Sequence, residues 1–373
     1  MSARTRSGVS CRPQSGTSHT PHEIGAAASF ICVKEIRSLE SRGVKIAILG
    51  VGRLGAFHAR VLRALPGVDE LRINDADAAR AAGLAQELGA KHATSIDEAL
   101  AGADAAVIVT PTGTHAALID RALDQGLAVF CEKPIALDLE STKRVVDHVE
   151  KAKGRVQIGF QRRFDAGFQE ARRRVREGDL GTVYSFHMTS RDAMPPPDAY
   201  IETSGGQFVD QLIHDFDVTR WMFGEVDEIY ATGSTLGFPQ YAKYGDVATS
   251  AAVLRLRDGA VGLLEAARHN EAGYDIRVEV YGAKDTIAIG LDPRTPMSSV
   301  ERDGPKMKSP AYPTFFVRFD AAYRAELAHF LRFARGEAEN ACTVRDGMEA
   351  LRIALAARRS LKESRPVALK DLA

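Results

Sequence analysis

The segment VKIAILGVGRLG, residues 44–55, constrains this chain more than any other stretch. An apolar, β-branched run ends in Gly50-Val-Gly52-Arg53-Leu54-Gly55, and a helical pattern, AFHARVLRAL, follows at once. The order is strand, glycine turn, helix. Gly50 makes the tight turn, Gly52 lets the backbone approach a pyrophosphate, and Gly55 lets the helix pack on the strand. Arg53 and Leu54 open that helix, whose free N–H groups face the phosphates. Asp75 lies 20 residues past Gly55, at the end of the next apolar run (VDELRIND), where a carboxylate accepts hydrogen bonds from ribose hydroxyls and repels a 2′-phosphate. The corner therefore predicts a dinucleotide site that takes NAD. Arg53 and Arg80 leave NADP as a weaker reading, and a purely structural turn is the alternative.

With 373 residues the chain has room for two domains. Lys+Arg and Asp+Glu number 49 each, so no overall charge favours nucleic acid or an anionic membrane. No apolar run reaches the ~18–20 residues of a membrane span. Four scattered cysteines, Cys11, Cys32, Cys131 and Cys342, show no metal-ligand spacing and read as reduced thiols of a cytoplasmic protein, Cys131 as core.

Residues 1–43 differ from the rest. Residues 1–22 are rich in Ser, Thr, Arg, Gly and Pro and lack periodicity, which predicts disorder. The apolar stretch IGAAASFICV at 24–33 raises a signal peptide, but it sits far from the start. An unstructured extension, or a start codon assigned too early, is the blander reading.

From 44 to 160, strands at 44–49, 69–74, 105–109, 127–131 and 156–160 alternate with helical patterns. This predicts a doubly wound parallel Rossmann sheet. Residues 161–373 change character. A basic helix at 166–177 leads to a strand at 182–190, a Pro-rich loop and a long helix at 206–223. Five β-type runs follow between 226 and 290, with Asp258-Gly259 as a hairpin signal, and then two helical patterns at 319–335 and 343–362. The prediction is a second α/β domain on a large, mostly antiparallel open sheet, with the C-terminal helix returning to the first domain. The run Arg172-Arg173-Arg174 with Arg176 reads as a solvated helix face, since no aromatic interleaving accompanies it.

Chemistry gathers at predicted carboxyl ends of strands. Thr110-Pro111-Thr-Gly-Thr114-His115 follows the third long strand and is expected to touch the cofactor, with Thr114 also able to cap the next helix. Cys131-Glu132-Lys133-Pro134 ends an apolar strand. An ammonium there can hold a substrate hydroxyl and stabilise a developing alkoxide, and the proline bond is a candidate for cis. On a continuous helix, Asp210, His214 and Asp217 fall on one face, and a histidine beside a carboxylate suits a general base. A polar helix surface competes with this reading. So does an Asp210–His214 metal pair, but no third strong ligand stands nearby and no metal is expected.

Taken together, GVGRLG, the ribose aspartate, CEKP, GFQRRFD and SGGxFxDxxIHDFD resemble, in this order, the Gfo/Idh/MocA oxidoreductase family over residues 44–370. RDAMPPPDAYIETSGG, IHDFD and AGYDIRVEVYG are similar to the inositol 2-dehydrogenases within it. The resemblance implies a Rossmann domain, an oligomer-forming second domain (a homotetramer), NAD, and reversible oxidation of a ring hydroxyl of myo-inositol or a related polyol to an inosose. It implies Lys133, Asp210 and His214 as the catalytic set, with Arg162, Asp192, Asp217 and Tyr274 lining the polyol pocket. It also implies Glu132 and Lys133 near the cofactor. Two departures, Ser190 in place of a substrate-contacting histidine and Arg191-Asp192-Ala193 in place of Arg-Asp-Pro, bear on which polyol is used. A dehydrogenase of another sugar, a non-catalytic NAD-binding regulator and a metal-dependent lyase or hydrolase are the competing functions.

Overall fold

The alternating first half forms a parallel sheet in the computed structural model, which describes residues 43–304, 306 and 309–372. Its strands are β1 (Val44–Leu49), β2 (Val68–Asn74), β3 (Lys91–His92), β4 (Ala105–Ile108), β5 (Ala128–Glu132) and β6 (Val156–Gly159), in the order β3-β2-β1-β4-β5-β6. β4 and β5 are buried along their whole length, as expected of strands covered on both faces. The strand order reverses between β1 and β4, and the carboxyl ends there open a crevice. β3 and the helix Ile96–Leu100 lie outside the expected elements, being too short for periodicity to reveal. The expected disordered extension lies, apart from Gly43, outside the described residues.

The second half builds a seven-stranded sheet from β7 (Val183–Arg191), β8 (Val226–Ser234), β9 (Thr249–Leu256), β10 (Val261–Ala267), β11 (Asp275–Gly282), β12 (Thr286–Ile289) and β13 (Val367–Ala368). The order is β12-β11-β7-β10-β9-β8-β13, antiparallel except for the β7–β10 pair. Gly259, at φ +96°, turns β9 into β10 as the Asp-Gly signal predicted. β9 alternates exposed and buried residues throughout, so one face of the sheet is covered and the other is open.

Helix Val344–Glu363 lies against β8, helix Ile213–Met222 and helix Leu139–Ala152. Helix Phe315–Ala334 packs on helix Arg53–Ala64 and sends Leu327, Phe330 and Leu331 into the core around Ile46, Ile48 and Phe130.

The long helix expected at 206–223 is instead two pieces, Gln207–Asp210 and Ile213–Met222. The break has a tertiary cause. Buried Gln211 donates from Nε2 to the carbonyls of Ser190 (3.2 Å) and Ala267 (3.0 Å), at the ends of β7 and β10. The Pro-rich loop before it also contains a short helix, Asp198–Thr203.

Candidate active site

The glycine corner has the geometry a pyrophosphate needs. Gly50 has φ +89°, and a Cβ there would lie 2.7 Å from the Val109 carbonyl oxygen. A Cβ on Gly55 would come within 2.0 Å of Gly50 O, so only glycine lets this helix sit on its strand. Around Gly52 the space is open, with no atom within 4 Å of a built Cβ, and no side chain caps helix Arg53–Ala64. Its first-turn N–H groups are left for an anion. Leu54 is part-buried against the core, and Arg53 is exposed with its guanidinium over the rings of Phe315 and Phe316.

Asp75 is locked at the rim. Its Oδ2 accepts from Val51 N (2.6 Å) and its Oδ1 from Asp77 N (2.8 Å). Arg80 is half exposed, paired with Asp77 (3.1 Å) and within reach of Asp75 (3.5 Å), contacts that a 2′-phosphate would have to displace.

The other expected cofactor residues divide. Thr110 is part-buried and Pro111 exposed on the loop after β4. Thr114 does not cap the following helix; its hydroxyl donates to Pro111 O (2.8 Å) and lies 2.7 Å from Thr110 Oγ1. His115 is buried, with Nδ1 2.8 Å from Pro134 O and Nε2 2.8 Å from Thr110 O. A ring so enclosed ties the loop to the Lys133–Pro134 cis peptide and cannot bond the cofactor. Glu132 is likewise buried and lies 2.7 Å from His58 Nε2.

Lys133 leaves the end of β5 and meets the second half. Its Nζ donates to Asp210 O (2.8 Å) and Oδ1 (3.3 Å). Tyr200 donates to the same Oδ1 (2.7 Å), and Arg268 Nη1 donates to Oδ2 (2.8 Å). Burial alone would raise the Asp210 pKa, but Lys133, Arg268 and these bonds carry it below the usual carboxylate range. Asp210 therefore holds Lys133 rather than orienting His214, contrary to the expectation of a His–Asp pair.

Neither nitrogen of His214 has a hydrogen-bond partner among the described residues, and Nδ1 is sealed from solvent, so Nε2 is the nitrogen open to a ligand. Burial, then the charges of Lys133 and Arg162, hold its pKa well below 6.5, leaving a neutral imidazole.

Around these stand Arg162, Asp192 and Tyr274. Arg162 donates to Asp215 Oδ1 (2.8 Å) and Ser190 Oγ (3.3 Å), and Ser190 Oγ donates to Asp215 in turn (2.8 Å to Oδ2). Ser190 is fully buried in this network. Asp192 lies 4.0 Å from Arg268, and Tyr274 is buried beside Arg162 and Asp192.

Asp217 is not part of this cluster. It is fully buried and bound twice by Arg163, at 2.5 and 2.9 Å. The one-face argument fails because the helix is broken between Asp210 and His214. The surface reading fails too, since Asp215 and Asp217 are both buried.

Arg268 and Tyr200 went unread in the sequence as single residues, and Asp215 was read only as part of a polar helix surface. Arg268 stands just past β10 in no motif, and Tyr200 sits in the Pro-rich segment. Asp215, directly after His214, was the one with a usable signal.

Residues 44–160 match the description "Oxidoreductase family, NAD-binding Rossmann fold", and residues 172–369 match "Oxidoreductase family, C-terminal alpha/beta domain". The chain belongs to the Gfo/Idh/MocA oxidoreductase family. It is similar to the myo-inositol dehydrogenase Hyg17 of Streptomyces leeuwenhoekii, 39% identical over 84% of this chain and 96% of that protein. It is also similar to the inositol 2-dehydrogenase of Rhizobium meliloti (strain 1021), at 36% over 87% and 99%. Among solved structures, it is similar to the scyllo-inositol dehydrogenase of Lactobacillus casei with bound NAD(H) and scyllo-inositol, at TM-score 0.78. It is 29% identical, covering 88% of this chain and 100% of that one.

Proposed function

We propose that the protein oxidises a secondary hydroxyl of myo-inositol, or of a closely related cyclic polyol, to the 2-keto inosose, with NAD as acceptor. The observation that carries this reading is a neutral, unpartnered His214 in the same polar cluster as the Lys133 ammonium, at the carboxyl end of a Rossmann strand. NAD, when bound at the glycine corner, accepts the hydride.

The chain's own residues do the rest. His214 Nε2 takes the hydroxyl proton. Lys133 has three N–H donors; two are directed at Asp210, and the third can hold the substrate oxygen and stabilise its alkoxide character. Asp210, clamped by Tyr200 and Arg268, keeps that ammonium in place. Arg162, Asp192 and Tyr274 offer a donor, an acceptor and a hydroxyl to the remaining ring oxygens. The pairing of Arg80 with two carboxylates supports NAD over NADP.

The protein acts in this reading as a cytoplasmic homo-oligomer, a tetramer, in polyol catabolism. The buried free thiols of Cys131 and Cys342 fit a reducing compartment. Assembly is supported by an apolar row, Tyr230, Val253 and Leu263, in register across β8, β9 and β10 and 40–43% exposed.

The test is nicotinamide reduction with NAD and NADP against myo-inositol, scyllo-inositol and glucose. Turnover with NAD and an inositol is expected. Turnover with glucose alone would replace the substrate, and NAD binding without any turnover would overturn the enzyme reading. His214→Ala should lower turnover by about 10²–10⁴ with NAD binding intact.

A further inference from the structure

The arginine run of helix Ala166–Arg176 divides in the fold. Arg173 pairs with Glu170 and Glu177, and Arg174 with Asp285. Arg172 and Arg176 instead line a cavity of about 770 Å³ that is also bordered by helices Ile213–Met222 and Phe315–Ala334. Five arginines face it (163, 172, 176, 220 and 332) against two carboxylates, Glu225 and Asp346. Arg163 and Arg220 already engage those carboxylates and Asp217.

Arg172, Arg176 and Arg332 have no ion-pair partner among the described residues. Arg172 donates only its Nε, to Trp221 O (3.1 Å), and its guanidinium lies 4.5 Å from the Trp221 ring centre. Burial and the neighbouring Arg176 and Arg163 already weaken its hold on its proton. Arg172 is part-buried and Arg176 and Arg332 are exposed, and three such charges without a counter-charge leave a positive field around the cavity that an anion would neutralise.

None of Lys133, Asp210 and His214 lines this cavity. Arg162 pairs with Asp215, whereas the next residue, Arg163, lines the cavity and pairs with Asp217.

We propose that this cavity binds a small organic phosphate carrying at least two negative charges, at a site separate from the dehydrogenase pocket. Arg172 and Arg176 reach in from one wall, one helical turn apart, and Arg332 from the facing helix. Tetrahedral phosphoryl groups present oxygens in all those directions, and guanidinium forks bind them in pairs. The volume leaves space for an organic portion beyond the phosphates.

Trp221 is the chain's single tryptophan and lines the cavity, so it reports occupancy directly. The full chain is saturated with NAD to fill the glycine corner, then titrated with pyrophosphate at constant ionic strength, following tryptophan emission and the heat of binding. A saturable response is expected, weakened about tenfold or more in R176Q/R332Q, which alters two exposed side chains and whose melting temperature checks folding. The proposal is overturned by absence of both signals, by equal affinity in R176Q/R332Q, or by citrate binding as tightly as pyrophosphate.

Discussion

His214 is a neutral imidazole in the folded chain. Its folded pKa lies well below 6.5, so below that value the unfolded chain takes up a proton that the folded chain refuses. This residue therefore lowers stability as pH falls under 6.5 and has no such effect above it. Activity has a different acid limit. Asp192 is pushed up to about 6 by burial, against the pull of Arg268 and with help from Asp210. We expect kcat/KM to fall on the acid side with a midpoint near that value, because in the proposed reaction protonation removes an acceptor from the polyol pocket. In Asp192→Asn that limb should vanish from the pH–rate profile, and a limb that survives belongs to another group. At this scale the sequence was legible where a motif fixed a residue to a strand or helix end. Lys133, Asp210 and His214 come together in the structure. It was not legible where the partner is a long side chain from a distant strand, as with Arg268 on Asp210, or where spacing assumed an unbroken helix, as with Asp217.

The glycine turn shows how one element separates folding from binding. Gly55→Ala drives a methyl group into the Gly50 carbonyl, a backbone atom that cannot yield cheaply. A loss of about 1–3 kcal/mol is expected, read as a lower melting temperature without ligand. Gly52→Ala meets no protein atom, so the apo melting temperature should hold while NAD affinity drops. Similar losses of stability in both would mean that the space beside Gly52 serves packing rather than a ligand. Strands and helices long enough to show a period were readable from residue types alone, β9 being the clearest. The break at Gln211-Leu212 was not, because its cause is a pair of hydrogen bonds to strands far away in sequence.

Among the described residues, one face of the seven-stranded sheet is left uncovered by helices. Leu263→Glu would place a charge in the middle of the row Tyr230, Val253, Leu263. Sedimentation should then show a smaller species with unchanged circular dichroism, and an unchanged mass would remove this face from the assembly. Within the second half, Arg162 and Arg163, just past β6, grip Asp215 and Asp217 of helix Ile213–Met222, all four side chains being buried. Removing one partner of such a pair leaves the other charge buried and alone, at a cost of about 3–5 kcal/mol. The segment 192–204 is tied down by Tyr200 on Asp210, by Asp192 N on Ala267 O, by Lys243 on Asp198 and by Ile201 packed with Tyr241 and Ala248; of these ties the Tyr200 bond is the one that reaches the partner of Lys133. Tyr200→Phe should quicken amide exchange across 192–204 and leave 161–164 and 213–222 as slow as before. Tyr200 would then link the order of this segment to the placement of Lys133, since both bond Asp210.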